Sequence, residues 1–301
     1  MKMPHNILVV ISGKQKEHEA LERALTFAKN NTIHIHLLNV MFEPVLEMID
    51  VFSIEHRQEM KRQYLADRHL YMDSIAGEVV KKGINCSVRV EWCRDIHEAI
   101  EEVVNELQPD LVIKRISADH LSINPFALPI DRYLLRYCNA PLLLVKHSNW
   151  TTFPVLAAVD VQAEDEQHIA LNKAIIESAD FMSHLSGSEL HTVSVHTIYS
   201  LSAAIDVPNI DINSINANSA DYHQQKLDKL VGEYKVNATK NHVIGGLPEH
   251  EIPNMTKQID AQLVVIGTVT RKGIAAAFMG NTVESLLAEL NCEVLALKPK
   301  N

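Results

Sequence analysis

The chain repeats itself once, and that repeat limits what it can fold into. Ile7-Leu8-Val9-Val10-Ile11-Ser12 aligns with Val155-Leu156-Ala157-Ala158-Val159-Asp160 at an offset of 148. Asp110-Leu111-Val112-Ile113 aligns with Gln262-Leu263-Val264-Val265, and Leu142-Leu143-Leu144-Val145-Lys146 with Val294-Leu295-Ala296-Leu297-Lys298, both at 152. A period of about 150 residues is one domain copied, because solenoid repeats are only about 20–50 residues long. The junction falls near Ser148–Thr152, giving expected domains 1–148 and 149–301. No Gly/Ser linker separates them, which predicts close packing of the halves.

Each half alternates short apolar runs with amphipathic stretches. In the first, strands are expected at 7–11, 32–40, 86–92, 111–113 and 142–145, with helices at 17–30, 55–82, 95–106 and 131–137. In the second, strands are expected at 155–159, 189–196, 242–244, 263–266 and 294–297. Its helices are expected at 165–184, 222–234, 248–259 and from Asn281. Apolar runs without alternation suit strands buried on both faces, and right-handed crossovers then give a doubly wound sheet. The expected fold class is α/β, with two tandem doubly wound parallel-sheet domains.

Of the 301 residues, 47% are hydrophobic and 22% charged, a globular balance. No uncharged apolar run reaches the roughly 18 residues of a membrane span, so no membrane insertion is expected. The first apolar run, Ile7–Ile11, is too short for a signal-peptide core, and the expected location is cytoplasmic. Cys86, Cys93, Cys138 and Cys292 form no C-x-x-C pair and are expected reduced. The net charge of −10 argues against a general nucleic-acid partner.

The stretch Leu263 to Thr282, LVVIGTVTRKGIAAAFMGNT, reads from its spacing either as a phosphate cradle or as an ordinary strand-to-helix connection. A buried strand breaks at Gly267 and passes through a small-residue loop toward a helix start, a layout that aims backbone N–H groups at an anion. Residues 149–301 carry only ten Lys and Arg, yet Arg271 and Lys272 are adjacent in this loop. Ligands of open parallel sheets bind beyond the C-terminal strand ends. Asp160, Val195-His196 and the Gly267 loop are the ends that count in the second half.

With VLAAVD at the first strand, this loop in the middle and EVLALK at the end, both halves resemble the universal stress protein family, in its two-domain bacterial form. The resemblance spans nearly the whole chain and implies an adenine nucleotide alpha hydrolase-like fold and a role in stress resistance. ATP-binding members carry G-x2-G-x9-G-[ST] between the fourth strand and helix. The matching positions here are Gly267, Thr270, Gly280 and Asn281. Threonine replaces the second glycine, and asparagine the terminal Ser/Thr. The resemblance implies ATP or a related adenine nucleotide in the second domain, with or without Mg²⁺. Asp160 would contact adenosine and the Val195 backbone would flank adenine. Gly267, Thr268, Thr270, Arg271, Gly280, Asn281 and Thr282 would surround ribose and phosphates. Asparagine still donates to phosphate, whereas a β-branched residue at position 270 is strained if the loop needs φ > 0 there. Family members pair as dimers, which implies that the halves imitate such a pair and that self-association is open to the chain.

The first half lacks this site. Ser12 replaces Asp160, Lys114-Arg115-Ile116 replaces Ile266-Gly267-Thr268, and the following loop has two prolines and no glycine. Salt bridges to nearby acids are the favoured role for Lys114 and Arg115. Met41–Phe52 and its counterpart Leu201–Ile212 are strongly apolar. They leave two readings open: packing, which is favoured, or a pocket for a small apolar or lipid-like ligand. An interaction protein with both nucleotide sites inactive is a further alternative. His34 and His36 share one strand face, while His191 and His196 do not. No zinc-spaced Cys/His cluster, G-x-S-x-G, P-loop or nucleophile–base pair is present, so neither a metal site nor a catalytic residue is assigned. Any ATP hydrolysis is expected to be slow.

Overall fold

The computed structural model describes residues 2–13, 18–29, 31–48, 52–116, 129–146, 153–198, 211–268, 286–287 and 289–299. Two compact units divide the chain, Met3–Asn149 and Trp150–Asn301.

The first unit runs β1 (Asn6–Val10), α1 (Glu19–Ala28), β2 (His34–Met41), α2 (Ile54–Lys81), β3 (Asn85–Trp92), α3 (Ile96–Leu107), β4 (Leu111–Arg115), α4 (Ile130–Tyr137) and β5 (Leu142–Val145). A single 3-10 turn, Pro44–Glu47, follows β2. All pairings within the unit are parallel, in the order β3-β2-β1-β4-β5. The apolar runs predict this: Ile7, Leu8, Val9, Leu111, Val112 and Ile113 are fully buried between helix layers. Helix α1 covers β1, β4 and β5, α2 covers β2 and β3, and α3 packs on α4 and β2.

The second unit repeats the plan with β6 (Val155–Ala158), α5 (Glu166–Ser186), β7 (Leu190–His196), α6 (Ile212–Glu233), β8 (Lys240–Gly245), α7 (Pro248–Gln258), β9 (Leu263–Gly267) and β10 (Glu293–Leu297). Its parallel order is β8-β7-β6-β9-β10. In each unit the sheet grows one way from its first strand and then the other, so a switch point lies at β1/β4 and at β6/β9.

Asp95 caps α3 by accepting from the His97 and Glu98 N–H groups, and Asp165 caps α5 by accepting from His168. Helix α6 begins ten residues before the expected Tyr222. The extra segment, INSINANSAD, has weak helix propensity. It is held by Asp211, which accepts from Asn213 and Ser214 N–H, and by burial of Ile212. All four cysteines are free. Among the described residues no helix is long and apolar enough to cross a membrane.

Candidate functional site

Asp160 follows β6 at the switch point of the second unit. Its N–H donates to Asn172 Oδ1 at 3.1 Å, and Asn172 Nδ2 donates back to its carbonyl at 2.6 Å. Asn172, on α5, thus holds both faces of one peptide turn. The Asp160 Oδ1 accepts from the Gln162 N–H at 3.0 Å, an Asx turn that aims the exposed carboxylate outward. No described residue donates to its other oxygen.

Gly267 ends β9. A Cβ there would lie 2.6 Å from Leu171 Cδ2 and 3.1 Å from Ile175 Cδ1. A larger residue would have to displace these α5 side chains, so the glycine has a packing reason independent of the loop beyond it. Thr268 is buried; its N–H and hydroxyl both donate to the Leu297 carbonyl, at 2.7 and 3.2 Å. Both donors of Thr268 are therefore used within the sheet. Val195 is half-buried and pairs with Ile244, one residue before the end of β7. The structure thus brings Asp160, Val195, Gly267 and Thr268 to the C-terminal ends of three adjacent strands. Thr270, Arg271, Gly280, Asn281 and Thr282 lie outside the described residues, as does most of Leu201–Ile212.

Sequence reasoning missed Asn172 and a polar seam beneath α6. Alternate residues of β7, Thr192, Ser194 and His196, are buried under that helix. Thr192 Oγ1 donates to Asn241 Oδ1 at 2.7 Å, and Asn241 Nδ2 donates to Asp228 Oδ1 at 2.7 Å. Ser194 Oγ lies 3.1 Å from His223 Nδ1, and His196 Nδ1 is 3.3 Å from Ser219 Oγ. The His196 and His223 rings are 5.4 Å apart, and the His223 Nε2 is buried with no hydrogen-bond partner. Burial, then the neighbouring His196, lowers the pKa of His223 against the pull of the Asp160 carboxylate. The only sequence signal for this seam was polar residues at period two inside an otherwise apolar strand.

At the same place in the first unit the chemistry differs. Lys114 is 1% exposed and ion-pairs with Asp131 of α4. Arg115 Nε donates to Glu19 Oε1 of α1 at 2.8 Å. Both cations are salt-bridged to acids. Ser12, His18, Glu19 and Arg115 help line a cavity of about 10 Å³, the space of one water.

Two further imidazole pairs lie on strands, His34 and His36 both on β2, and His191 of β7 with His242 of β8. His34 and His36 stack at 4.1 Å with planes 8° apart. Burial and then His34 lower the pKa of His36. His191 Nδ1 meets His242 Nε2 at 3.0 Å with ring centroids 5.3 Å apart and planes 15° apart. Those values describe rings meeting edge to edge through one shared proton, not stacking. Burial, helped by His191 and Lys240, brings the His242 pKa down to about 4. Among the described residues no group of three or more His, Cys, Asp or Glu could hold a metal ion.

The sequence model of the Universal stress protein family matches residues 3–146 and 152–298, one copy per half. The chain belongs to the universal stress protein family. Universal stress protein E of Escherichia coli (strain K12) is 31% identical over 302 residues, covering 99% of this chain and 95% of the relative. A universal stress protein structure from Pseudomonas aeruginosa UCBPP-PA14 superimposes with a TM-score of 0.72 at 29% identity, covering 98% of this chain and 94% of that one. A universal stress protein from Archaeoglobus fulgidus DSM 4304, 16% identical, shares the fold at a TM-score of 0.65 over 100% of this chain and 98% of its own. The family's tandem form and its parallel α/β fold account for both units.

Proposed function

We propose that this universal stress protein serves in stress resistance by binding an adenine nucleotide, ATP alone or with Mg²⁺, in its second unit. The observation that carries the reading is Asp160. It presents a carboxylate oxygen free of described donors, on a turn clamped by Asn172, at the switch point where Gly267 ends the neighbouring strand. A carboxylate there accepts from ribose hydroxyls, and backbone groups at the end of β7 flank a base. In the loop after Thr268, Arg271, Gly280, Asn281 and Thr282 supply the charge and donors that phosphates need. Binding rather than turnover is the activity assigned.

Thermal denaturation with millimolar ATP–Mg²⁺ tests this. The wild type should melt several degrees higher with nucleotide, and Asp160→Asn should lose most of that shift while melting normally without ligand. No shift with ATP, ADP or AMP in the wild type sinks the proposal. Gly267→Val is a poor probe of ligand binding, since it crowds Leu171 in any case.

A second reading, a site for a small apolar or lipid-like ligand, draws support from Val45 and Met48, 42% and 51% exposed around the turn after β2. Native mass spectrometry separates the two by the mass of what co-purifies.

A further inference from the structure

Two buried imidazoles, His196 and His223, meet at the end of β7 beside the candidate site. We propose that a proton on His223 competes with a bound nucleotide for the Asp160 carboxylate, so that acid empties the site, a regulation that rests on the nucleotide reading above. His196 and His223 are 6% and 1% exposed, with ring centroids 5.4 Å apart. The Thr197 carbonyl, 3.3 Å from His196 Nδ1, can only accept, so that nitrogen carries a proton. His223 Nδ1 lies 3.1 Å from Ser194 Oγ, and its Nε2 is buried with no partner among the described residues. A neutral ring leaves one hydrogen-bonding valence unmet at Nε2. A protonated ring leaves a charged N–H there, which burial tolerates only beside an acceptor.

Helix α6 packs on β7 and β8. On that side β7 offers Thr192, Ser194 and His196, and β8 offers Asn241. His191 and His242 fall at the alternate positions and pair with each other. On α6 itself Lys226 sits over the Tyr222 ring, and Asp228 accepts from Gln224 and Asn241. The charges that act on His223 are His196, which opposes a proton there, and the Asp160 carboxylate, which favours it. One oxygen of Asp160 is held by the Gln162 N–H, and the other has no described donor. That second oxygen is the one offered to ribose, and it is also the acceptor within electrostatic reach of His223. Asn172 fixes the backbone of the turn and leaves this oxygen to serve one or the other.

The sign follows from the surroundings. Burial and then His196 hold the His223 pKa below its ordinary 6.5, so at neutral pH the ring is uncharged and the carboxylate is open to a ligand. As pH falls below that range the ring gains a proton, and its charge claims the carboxylate. Linkage makes the effect reciprocal: a nucleotide on Asp160 makes His223 harder to protonate. The first unit has neither partner. Ser12 and Tyr71 stand at the places of Asp160 and His223, and the Tyr71 hydroxyl meets His18 Nε2 at 3.1 Å.

Adenosine is the probe, because it carries no titrating phosphate. Calorimetric titration into the full chain should give an affinity at least about fivefold lower near about pH 5 than near about pH 8. His223→Gln, whose amide can replace the bond to Ser194, should bind like the wild type at the higher pH and lose the dependence, while His191→Gln should keep it. Equal wild-type affinity at both pH values, or an undiminished dependence in His223→Gln, overturns the proposal. Nuclear magnetic resonance of the wild-type imidazoles guards against a misfolded variant: adenosine should move the His223 titration to lower pH, and an unmoved titration also overturns it. Without any ligand, Asp160→Asn should move the His223 titration to lower pH as well, and no movement there denies the coupling itself. If neither adenosine nor ATP binds the wild type at the higher pH, the nucleotide reading falls and the competition with it. If adenosine binds with an affinity that ignores pH, only the competition falls.

Discussion

Three positions, each separated by 152 residues, hold opposite chemistries in the two units. The first has Glu19 and Arg23 on α1 and Arg115 at the end of β4; the second has Leu171 and Ile175 on α5 and Gly267 at the end of β9. In the first unit Arg115 ion-pairs with Glu19 of α1, and Arg23 of the same helix is buried. In the second, the side chains of Leu171 and Ile175 crowd the strand end, so that any residue larger than glycine there must displace them. One backbone plan therefore supports either a strand end whose cations are paired with acids or an apolar one. The Lys114–Asp131 and Arg115–Glu19 pairs already neutralise these two cations, which leaves them little charge to offer an anion at the end of β4.

The comparison breaks first at Lys114. If the charged strand end is structural, Lys114→Met should cost about 3–5 kcal/mol by urea denaturation, because Asp131 loses the buried partner on α4. The double variant Lys114→Met/Asp131→Leu should recover most of it. A loss under about 1 kcal/mol for the single variant would show that the pair is not needed. Next comes Gly267→Val, expected to cost about 1–3 kcal/mol by overpacking against Leu171. Adding Leu171→Ala should make the two effects non-additive in a double-mutant cycle, whereas simple additivity would deny the close approach.

Asn172→Ala removes both bonds to the Asp160 peptide and should cost about 1–2 kcal/mol, with weaker nucleotide binding in the same variant. Normal melting and normal binding together would dismiss the clamp. The smallest effect concerns pH. His242 titrates near 4 when folded and near its ordinary 6.5 when unfolded, so between those values the unfolded chain binds the extra proton. Its contribution is thus present above pH 6.5 and is lost as pH falls toward 4. His242→Gln should flatten the melting temperature over that window by a degree or two, since solvent screens a partly exposed ring. An unchanged slope would place the proton elsewhere.

Much of this was legible in the chain. Ile7–Val10 and Leu111–Ile113 announce buried strands because nothing polar interrupts them, and Asp95 and Asp165 announce helix starts because carboxylates satisfy open N–H groups. Gly267 was legible as a special position, but its partner was not: Leu171 lies 96 residues upstream and reaches it only through the crossover of α5. Asn172 reads in sequence as a polar residue beside the apolar stripe of an amphipathic helix. Its role depends on which turn that face meets. The early start of α6 was hidden because Asn and Ser favour caps and turns, and burial of Ile212 overrides that preference. Ion pairs such as Lys114–Asp131 are set by helix placement, which local spacing does not encode.

The Asn172 clamp bears on kinetics as well as on shape. Closing a ring through the N–H and carbonyl of Asp160 removes alternative backbone states of that turn when the chain folds, not when a ligand arrives. Fixing one residue costs about 1–2 kcal/mol of entropy, and that loss is absent from the free energy of any encounter at the carboxylate. A ligand of the kind proposed for Asp160 would then meet a backbone turn that is already fixed, with no conformational search left for that turn.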